Sequence, residues 1–230
     1  MLKSLIKINK GIGSLDLRKN TLGDSGIAEL SQTLKYSNSL VSVDFSSNEL
    51  GPKGGSELFK ALAVNESITG VDISSQEGLH RNHVGGRGLK RLVQVLQFNK
   101  ILSILNLSGN TIKVEGLAYI AEGIKGNYTL ESLKVSQNEI QGNPQCVQCL
   151  KTMFIESKLK ELDISDNPLG NACIEGLALT LGSAATYIKR FYCANIGINC
   201  MAISLSIRSA VYGDVVPRHK NEWLFANIAT

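Results

Sequence analysis

Apolar residues recur along this chain in one phrase: apolar, two residues, apolar, one residue, apolar, two residues, asparagine, one residue, apolar. It reads Ile12-Leu15-Leu17-Asn20-Leu22 and Leu40-Val43-Phe45-Asn48-Leu50, and returns as Leu102-Leu105-Leu107-Asn110-Ile112, Leu130-Leu133-Val135-Asn138-Ile140 and Leu159-Leu162-Ile164-Asn167-Leu169. With Asn82 from an interrupted copy, the six asparagines are spaced by 28, 34, 28, 28 and 29 residues. A fixed period in this range marks stacked repeats, each touching only its neighbours. Inside the phrase the period is two, so Leu15 and Leu17 turn inward while Ser14, Asp16 and Arg18 turn outward. After the asparagine and a Leu-Gly turn the period becomes helical: Ile27, Leu30 and Leu34, then Leu58 and Leu62, then Leu117, Ile120 and Ile124, then Ile174, Leu177 and Leu181. Each helix is expected to start near Gly26, Gly54, Gly88 or Gly116, where a small residue lets the backbone pack close to the turn.

Each unit is thus one short strand and one helix. Parallel strands stack about 4.8 Å apart, whereas packed helices need about 8–10 Å. Joining the two layers forces a bend with the strands inside. The expected fold is α/β, a right-handed solenoid shaped as a horseshoe, with a concave parallel sheet and convex helices. The amide of each recurring asparagine offers a donor and an acceptor where the strand leaves its ladder. Asn20, Asn48, Asn82, Asn110, Asn138 and Asn167 are therefore expected to be structural.

The array is expected to be a single solenoid over residues 1–230, with six regular repeats over 12–187. Residues 1–11 align with the end of a repeat, since Ile6, Asn9 and Ile12 correspond to Leu62, Asn65 and Ile68. The chain is accordingly expected to begin inside a preceding helix, as a piece of a longer protein. After Leu181 the pattern degrades. Ile188-Phe191-Cys193 reads as a seventh strand, and Met201, Ile203, Leu205 and Ile207 alternate before a tail with Pro217, Trp223, Leu224 and Phe225. Residues 188–230 are read as a degenerate repeat and cap, because a last repeat must cover an exposed core edge. A docking surface for a further domain is the other reading.

Composition narrows the function classes. Hydrophobic residues make up 43 % and charged ones 19 %, with a net charge of +4. Charges of both signs alternate along the helical stretches, so a nucleic-acid surface is not indicated. No apolar run approaches the roughly 20 residues of a membrane span, and the start lacks the small-residue cleavage site of a signal peptide. The five cysteines are odd in number. Cys149 stands where Leu30 does, Cys146 where Ile27 does, Cys173 at the Gly26 position and Cys193 at the Leu17 position, so these are expected to be buried free thiols. That points to a reducing, cytoplasmic setting. The Asn-X-Ser/Thr triplets at Asn65, Asn106 and Asn127 then carry no meaning for glycosylation. Cys146-Val147-Gln148-Cys149 resembles half of a zinc site or a redox pair. No second such pair, nor a His pair, accompanies it at ligand spacing, so no metal and no cofactor is expected.

The 28–29-residue period, the L-x-x-L-x-L-x-x-N-x-L-G core and the long helical half resemble leucine-rich repeats of the ribonuclease-inhibitor type. Similar repeats occur in Ran GTPase-activating proteins, tropomodulin, CARMIL-like actin regulators and innate-immune receptors. The resemblance implies a fold and a general mode of action, contact with a protein partner; it does not choose among these roles.

Departures from the repeat are where specific function is expected. Six extra residues, Gln76-Glu77-Gly78-Leu79-His80-Arg81, lie between Ser75 and Asn82, and register resumes at Asn82-His83-Val84-Gly85. The insertion follows a strand and so projects at one rim, where it gathers Glu77, His80, Arg81, His83 and nearby Arg87. Such insertions often bind, and are otherwise tolerated loops. On the concave face the outward strand positions form a column: Asp16, Asp44, Asp72, Asn106, Lys134, Asp163 and Tyr192. Its first three members give an acidic lining suited to a basic partner segment, although Asp and Ser are also common fillers in repeats of this kind. The partner-binding candidates are Asp16, Asp44, Asp72, Glu77, His80, Arg81, His83, Arg87, Lys134, Asp163 and Tyr192.

Nothing pairs a nucleophile with a base. Gly85-Gly86-Arg87-Gly88 lacks the Lys-Ser/Thr of a phosphate loop and fits the turn of the repeat. The expected function is a non-catalytic scaffold or regulator that binds a protein, with no small-molecule substrate. The alternative is a GTPase-activating or actin-regulatory module acting on a bound partner.

Overall fold

The computed structural model describes residues 11–76, 78, 80–181 and 186–198. Among the described residues seven strands, each of three residues, form one parallel sheet in the order of the sequence: β1 (Ser14–Asp16), β2 (Ser42–Asp44), β3 (Gly70–Asp72), β4 (Ile104–Asn106), β5 (Ser132–Lys134), β6 (Glu161–Asp163) and β7 (Arg190–Tyr192). Between them run α1 (Gly23–Leu34), α2 (Pro52–Leu62), α3 (Gly85–Leu89), α4 (Leu92–Phe98), α5 (Lys113–Ile124), α6 (Pro144–Ile155) and α7 (Gly170–Leu181). The chain is an α/β solenoid with strands and helices in separate layers. The truncated repeat expected at the start, and the cap expected beyond Ile198, lie outside the described residues.

Strand register follows the repeat through the insertion. Asp44 pairs with Asp72, and Asp72 with Asn106, although those intervals are 28 and 34 residues. The inward residues Val43, Val71, Leu105, Leu133 and Leu162 stack into one core with Ile27, Leu58, Leu117 and Leu150 from the helices. At the far end, Phe154 and Phe191 meet edge to face with centroids 5.1 Å apart, a geometry that adds to their burial.

The asparagines stitch the turns together. Asn82 Oδ1 accepts from the N–H groups of Asn48 and Leu50, each at 2.9 Å, while its Nδ2 donates to the carbonyls of Phe45 and Ile73. Asn138 takes the same position toward Asn110 and Ile112, and Asn167 toward Asn138 and Ile140. The turn after a strand has no ladder partner for these N–H groups, so a side chain must supply one. At the N-terminal end this stitching weakens. Asn20 is exposed, and Asn48 Oδ1 has no partner among the described residues.

A second asparagine ladder escapes the first pattern. Asn65, Asn99 and Asn127 are buried just ahead of the strands. Asn65 Nδ2 donates to the Leu34 and Ser37 carbonyls, Asn99 Nδ2 to those of Leu62 and Asn65, and Asn127 Nδ2 to that of Leu96. Their Oδ1 atoms accept from Ile68, Leu102 and Leu130 respectively. These asparagines repeat at the same 34- and 28-residue intervals as the first ladder, a signal that the glycosylation-like reading of Asn65 and Asn127 passed over.

The helices depart from expectation in two ways. They begin about a turn earlier, at Gly23, Pro52, Gly85 and Lys113, so that Gly26, Gly54, Gly88 and Gly116 lie within or near their first turns. At Gly23, Gly85 and Gly170 φ lies between 57° and 69°, a turn that glycine adopts without a Cβ clash. Asp24 then reaches across to the next repeat, where Oδ1 accepts from Gly51 and Gly54 N–H and caps α2. The third repeat also carries two short helices instead of one. Three of the five α3 residues are glycine, which weakens a helix.

Candidate interaction surfaces

The outward column is continuous across the sheet. Paired register aligns Asp16, Asp44, Asp72, Asn106, Lys134, Asp163 and Tyr192 on β1 to β7. Five of these residues share a backbone task. Asp16 Oδ1 accepts from Arg18 N–H at 3.1 Å, Asp44 from Ser46 at 2.9 Å, Asp72 from Ser74 at 2.8 Å, Asn106 from Ser108 at 3.1 Å and Asp163 from Ser165 at 3.0 Å. A short side-chain oxygen two residues ahead satisfies the N–H left over where each strand ends. That is a structural reason for Asp or Asn here, and the second oxygen of Asp16 and of Asp72 is taken up within the chain, by Arg18 and Asn106.

Charge along the column is partly neutralised. Arg18 grips Asp16 Oδ2 through Nη2 at 2.7 Å and lies 4.0 Å from Asp44. Its backbone N–H, with the guanidinium, holds the Asp16 carboxyl below the usual range. Asp72 Oδ2 accepts from Asn106 Nδ2 at 2.8 Å. Farther along, Glu161 takes Arg190 at 2.6 Å and Lys134 at 3.9 Å. The acidic lining at β1 to β3 thus gives way to mixed charge at β5 to β7, and Lys134, Asp163 and Tyr192 are not brought to the insertion.

The insertion is fastened to the second repeat. Gln76 N–H donates to Ser47 Oγ at 2.9 Å, Glu49 N–H to the His80 carbonyl at 2.9 Å, and His83 N–H to the Leu50 carbonyl at 2.6 Å. His80 Nδ1 lies 2.6 Å from Glu49 Oε1, a partner invisible to sequence spacing. Arg81 and His83 remain exposed beside it. Glu77 lies outside the described residues. Arg87 does not join the cluster: it stands on α3 and lines an open groove with Asp24, Pro52, Lys53 and Glu57 at the helix starts. The early start of α3 carries it to the helical side.

Cys146, Cys149 and Cys173 are buried free thiols, and Cys146 Sγ lies 3.8 Å from Cys173 Sγ. The hydrogen bond with Cys173, and burial, push the Cys146 thiol well up. Cys193 departs from the burial expected of it. It is half-buried just after β7, the last described strand, where the stack offers it a neighbour on one side among the described residues. Among the described residues no group of three or more His, Cys, Asp or Glu side chains is placed to hold a metal ion.

Residues 14–31, 36–59, 98–121 and 157–178 match the family described as Leucine Rich repeat. Over 104 residues the chain is 32 % identical to ribonuclease inhibitor of Sus scrofa, which covers 44 % of this chain and 22 % of that protein. The chain is a leucine-rich-repeat protein of the ribonuclease-inhibitor type. It is also 29 % identical over 131 residues to Protein CARMIL of Dictyostelium discoideum, covering 55 % of this chain and 12 % of that protein. It therefore spans well under two thirds of the length of either relative. Among solved structures it is similar to "Leiomodin-1 Actin-Binding Site 2 (ABS2)", with a TM-score of 0.51 and 17 % identity over 57 % of this chain and 75 % of that one. At that identity the likeness is one of fold. A leucine-rich-repeat array of this type is a protein-interaction module, and no described helix is long and apolar enough to cross a membrane.

Proposed function

We propose that this leucine-rich-repeat protein binds a protein partner through the N-terminal half of its concave face together with the rim at residues 76–83, and has no catalytic centre of its own. The observation that carries the reading is the fastening of the insertion. Backbone bonds and the His80–Glu49 pair hold it in place, while Arg81 and His83 stay exposed. A tethered loop costs less entropy to order on binding than a free one. The acidic lining of Asp16, Asp44 and Asp72, only partly neutralised by Arg18, suits a basic partner segment.

The test uses two variants. His80→Glu with Arg81→Glu reverses the rim charge and sets a carboxylate against Glu49. Deletion of residues 76–81 restores a 28-residue repeat and removes the rim outright. Both should fold, as judged by circular dichroism, because the substituted side chains are solvated. Partners recovered by affinity capture on the parent chain should bind the variants more weakly, with slower association at low salt. Unchanged affinity of the deletion variant for every such partner would refute the rim reading.

A second reading, actin regulation, is favoured by one observation: one of the similar solved structures is named as an actin-binding site. Co-sedimentation with filamentous actin tests it directly. The GTPase-activating alternative is tested by GTP turnover of small GTPases with and without the chain.

A further inference from the structure

The opposite rim, where each helix hands over to the next strand, carries a row of exposed apolar side chains. Tyr36, Val64, Phe98 and Ile155 are equivalent in register, each eight residues ahead of its column residue at 44, 72, 106 or 163. Tyr128 and Tyr187 extend the row on the turns before β5 and β7. All six are between 46 % and 77 % exposed. Scattered single apolar residues on a surface need no explanation. Recurrence at one place in repeat after repeat does need one, because packing does not ask for it: the core positions of those turns are filled by Leu40, Ile68, Leu102, Leu130 and Leu159.

Lysines accompany the row. Lys35 lies over the Tyr36 ring at 5.1 Å, Lys100 over Tyr128 at 4.7 Å and Lys158 over Tyr187 at 3.4 Å from the centroid. Exposed acids on these turns include Glu66 and Glu156. The second asparagine ladder shapes the presentation. Asn99 and Asn127 turn their amides into the core, so the residue after each, Lys100 or Tyr128, is directed outward.

We propose that this rim docks onto the head groups of an anionic phospholipid membrane. The tyrosines and Phe98 enter the interface, and the lysines meet the lipid phosphates. Charge selects an anionic occupant, and the arrangement selects a membrane over an acidic protein. Hot spots of protein interfaces cluster in desolvated, closely packed patches. Here the row takes one side chain from each repeat, at a helix end or on the turn after it, with successive repeats about 8–10 Å apart as helix spacing dictates. Equivalent positions of successive repeats fall along one edge, so the tips are presented side by side. A lipid interface accepts such separate tips, and tyrosine suits the boundary because its ring is apolar and its hydroxyl stays wet. Each lysine near an anionic leaflet adds attraction that salt weakens.

The experiment is vesicle flotation with the full chain, using phosphatidylcholine alone and phosphatidylcholine with about 30 mol % phosphatidylserine. The parent should float with the anionic vesicles and bind neutral ones at least about tenfold more weakly. Tyr36→Ser with Phe98→Ser and Tyr128→Ser should reduce anionic binding by about tenfold or more, and Lys35→Glu with Lys100→Glu and Lys158→Glu should do the same. The six substituted residues lie at helix ends or on the turns that follow them, and thermal melting checks that both variants fold. Ile104→Ser, on the concave face, should bind as the parent does. The proposal is overturned if the parent ignores anionic vesicles, if it binds both lipid mixtures alike, or if both triple variants float unchanged. Capture of polyglutamate without vesicle binding also overturns it and assigns the rim to an acidic protein.

Discussion

Replacing Asn82 by alanine, beside the same change at Asn20, measures what the asparagine ladder contributes. The two residues share a motif position but differ in what depends on them. Asn82 is fully buried, and its Oδ1 is the acceptor for two N–H groups on Asn48 and Leu50, themselves fully buried. Asn82→Ala leaves both donors in the interior without a partner, at about 1–3 kcal/mol each, so the variant should lose about 2–6 kcal/mol. Of its carbonyl partners, Ile73 keeps the amide of Asn110 at 2.8 Å, so that loss is softened. Asn20 is exposed and donates to the carbonyls of Leu17 and Arg18. Water can replace it, and Leu17 also accepts from Asn48. Asn20→Ala should therefore cost less than about 1 kcal/mol. Urea unfolding followed by circular dichroism gives the two differences. Hydrogen exchange at the Asn48 and Leu50 amides locates the damage in the Asn82 variant. Equal losses at the two sites, or unchanged exchange at those amides, would refute the argument.

Four further outcomes are expected. Leu105→Ala, at a fully buried strand position, should cost about 2–5 kcal/mol, with exchange protection lost first in the adjoining repeats; equal loss at both ends would contradict the one-dimensional picture. Cys149→Asp should destabilise by more than about 3 kcal/mol, since an unpaired carboxylate enters the helix–sheet core, and a melting temperature unchanged from the parent would exclude this. Gly142→Ala should also unfold readily in a thermal melt, because an added Cβ would stand 1.6 Å from the Leu169 carbonyl oxygen, which is backbone, whereas Gly13→Ala meets only the Ser39 oxygen at 4.0 Å and should be tolerated. Burial pushes the Cys193 thiol up to about 11 from its ordinary 9.0; folding therefore favours the protonated thiol, a contribution complete below pH 9.0 and lost as pH rises through about 11, and alkylation of Cys193 in the folded chain should stay slow at pH 9 compared with the unfolded chain.

The periodic core is legible in the order of the amino acids alone. Because each repeat solves the same packing problem, Leu105 and Leu133 announce their burial by position, and the column from Asp16 to Tyr192 follows from a period of two within each strand. The second ladder of Asn65, Asn99 and Asn127 is equally legible, at the intervals of the first, but a competing meaning for the same residues masks it. Function is less so. Repetition encodes neighbour contacts, which look alike in every repeat, whereas a partner surface is built from whatever the repeats leave outside.

What the sequence determined by itself is the unit, its register and the handover from strand to helix, because these rest on local periodicity and on contacts one repeat away. Tertiary structure decided matters that depend on three-dimensional reach. It gave His80 to Glu49 across 31 residues, bound Arg18 to Asp16 and Asp44, and set Arg87 apart on the helical side. It also showed that the column carboxylates each serve a backbone N–H, and that Tyr36, Phe98 and Tyr128 stand along one exposed rim. The physical reason is the same in each case. Hydrophobic burial is ordered by spacing along the chain, while charge pairing and exposure depend on which side chains the folded turns bring within a few ångströms of one another.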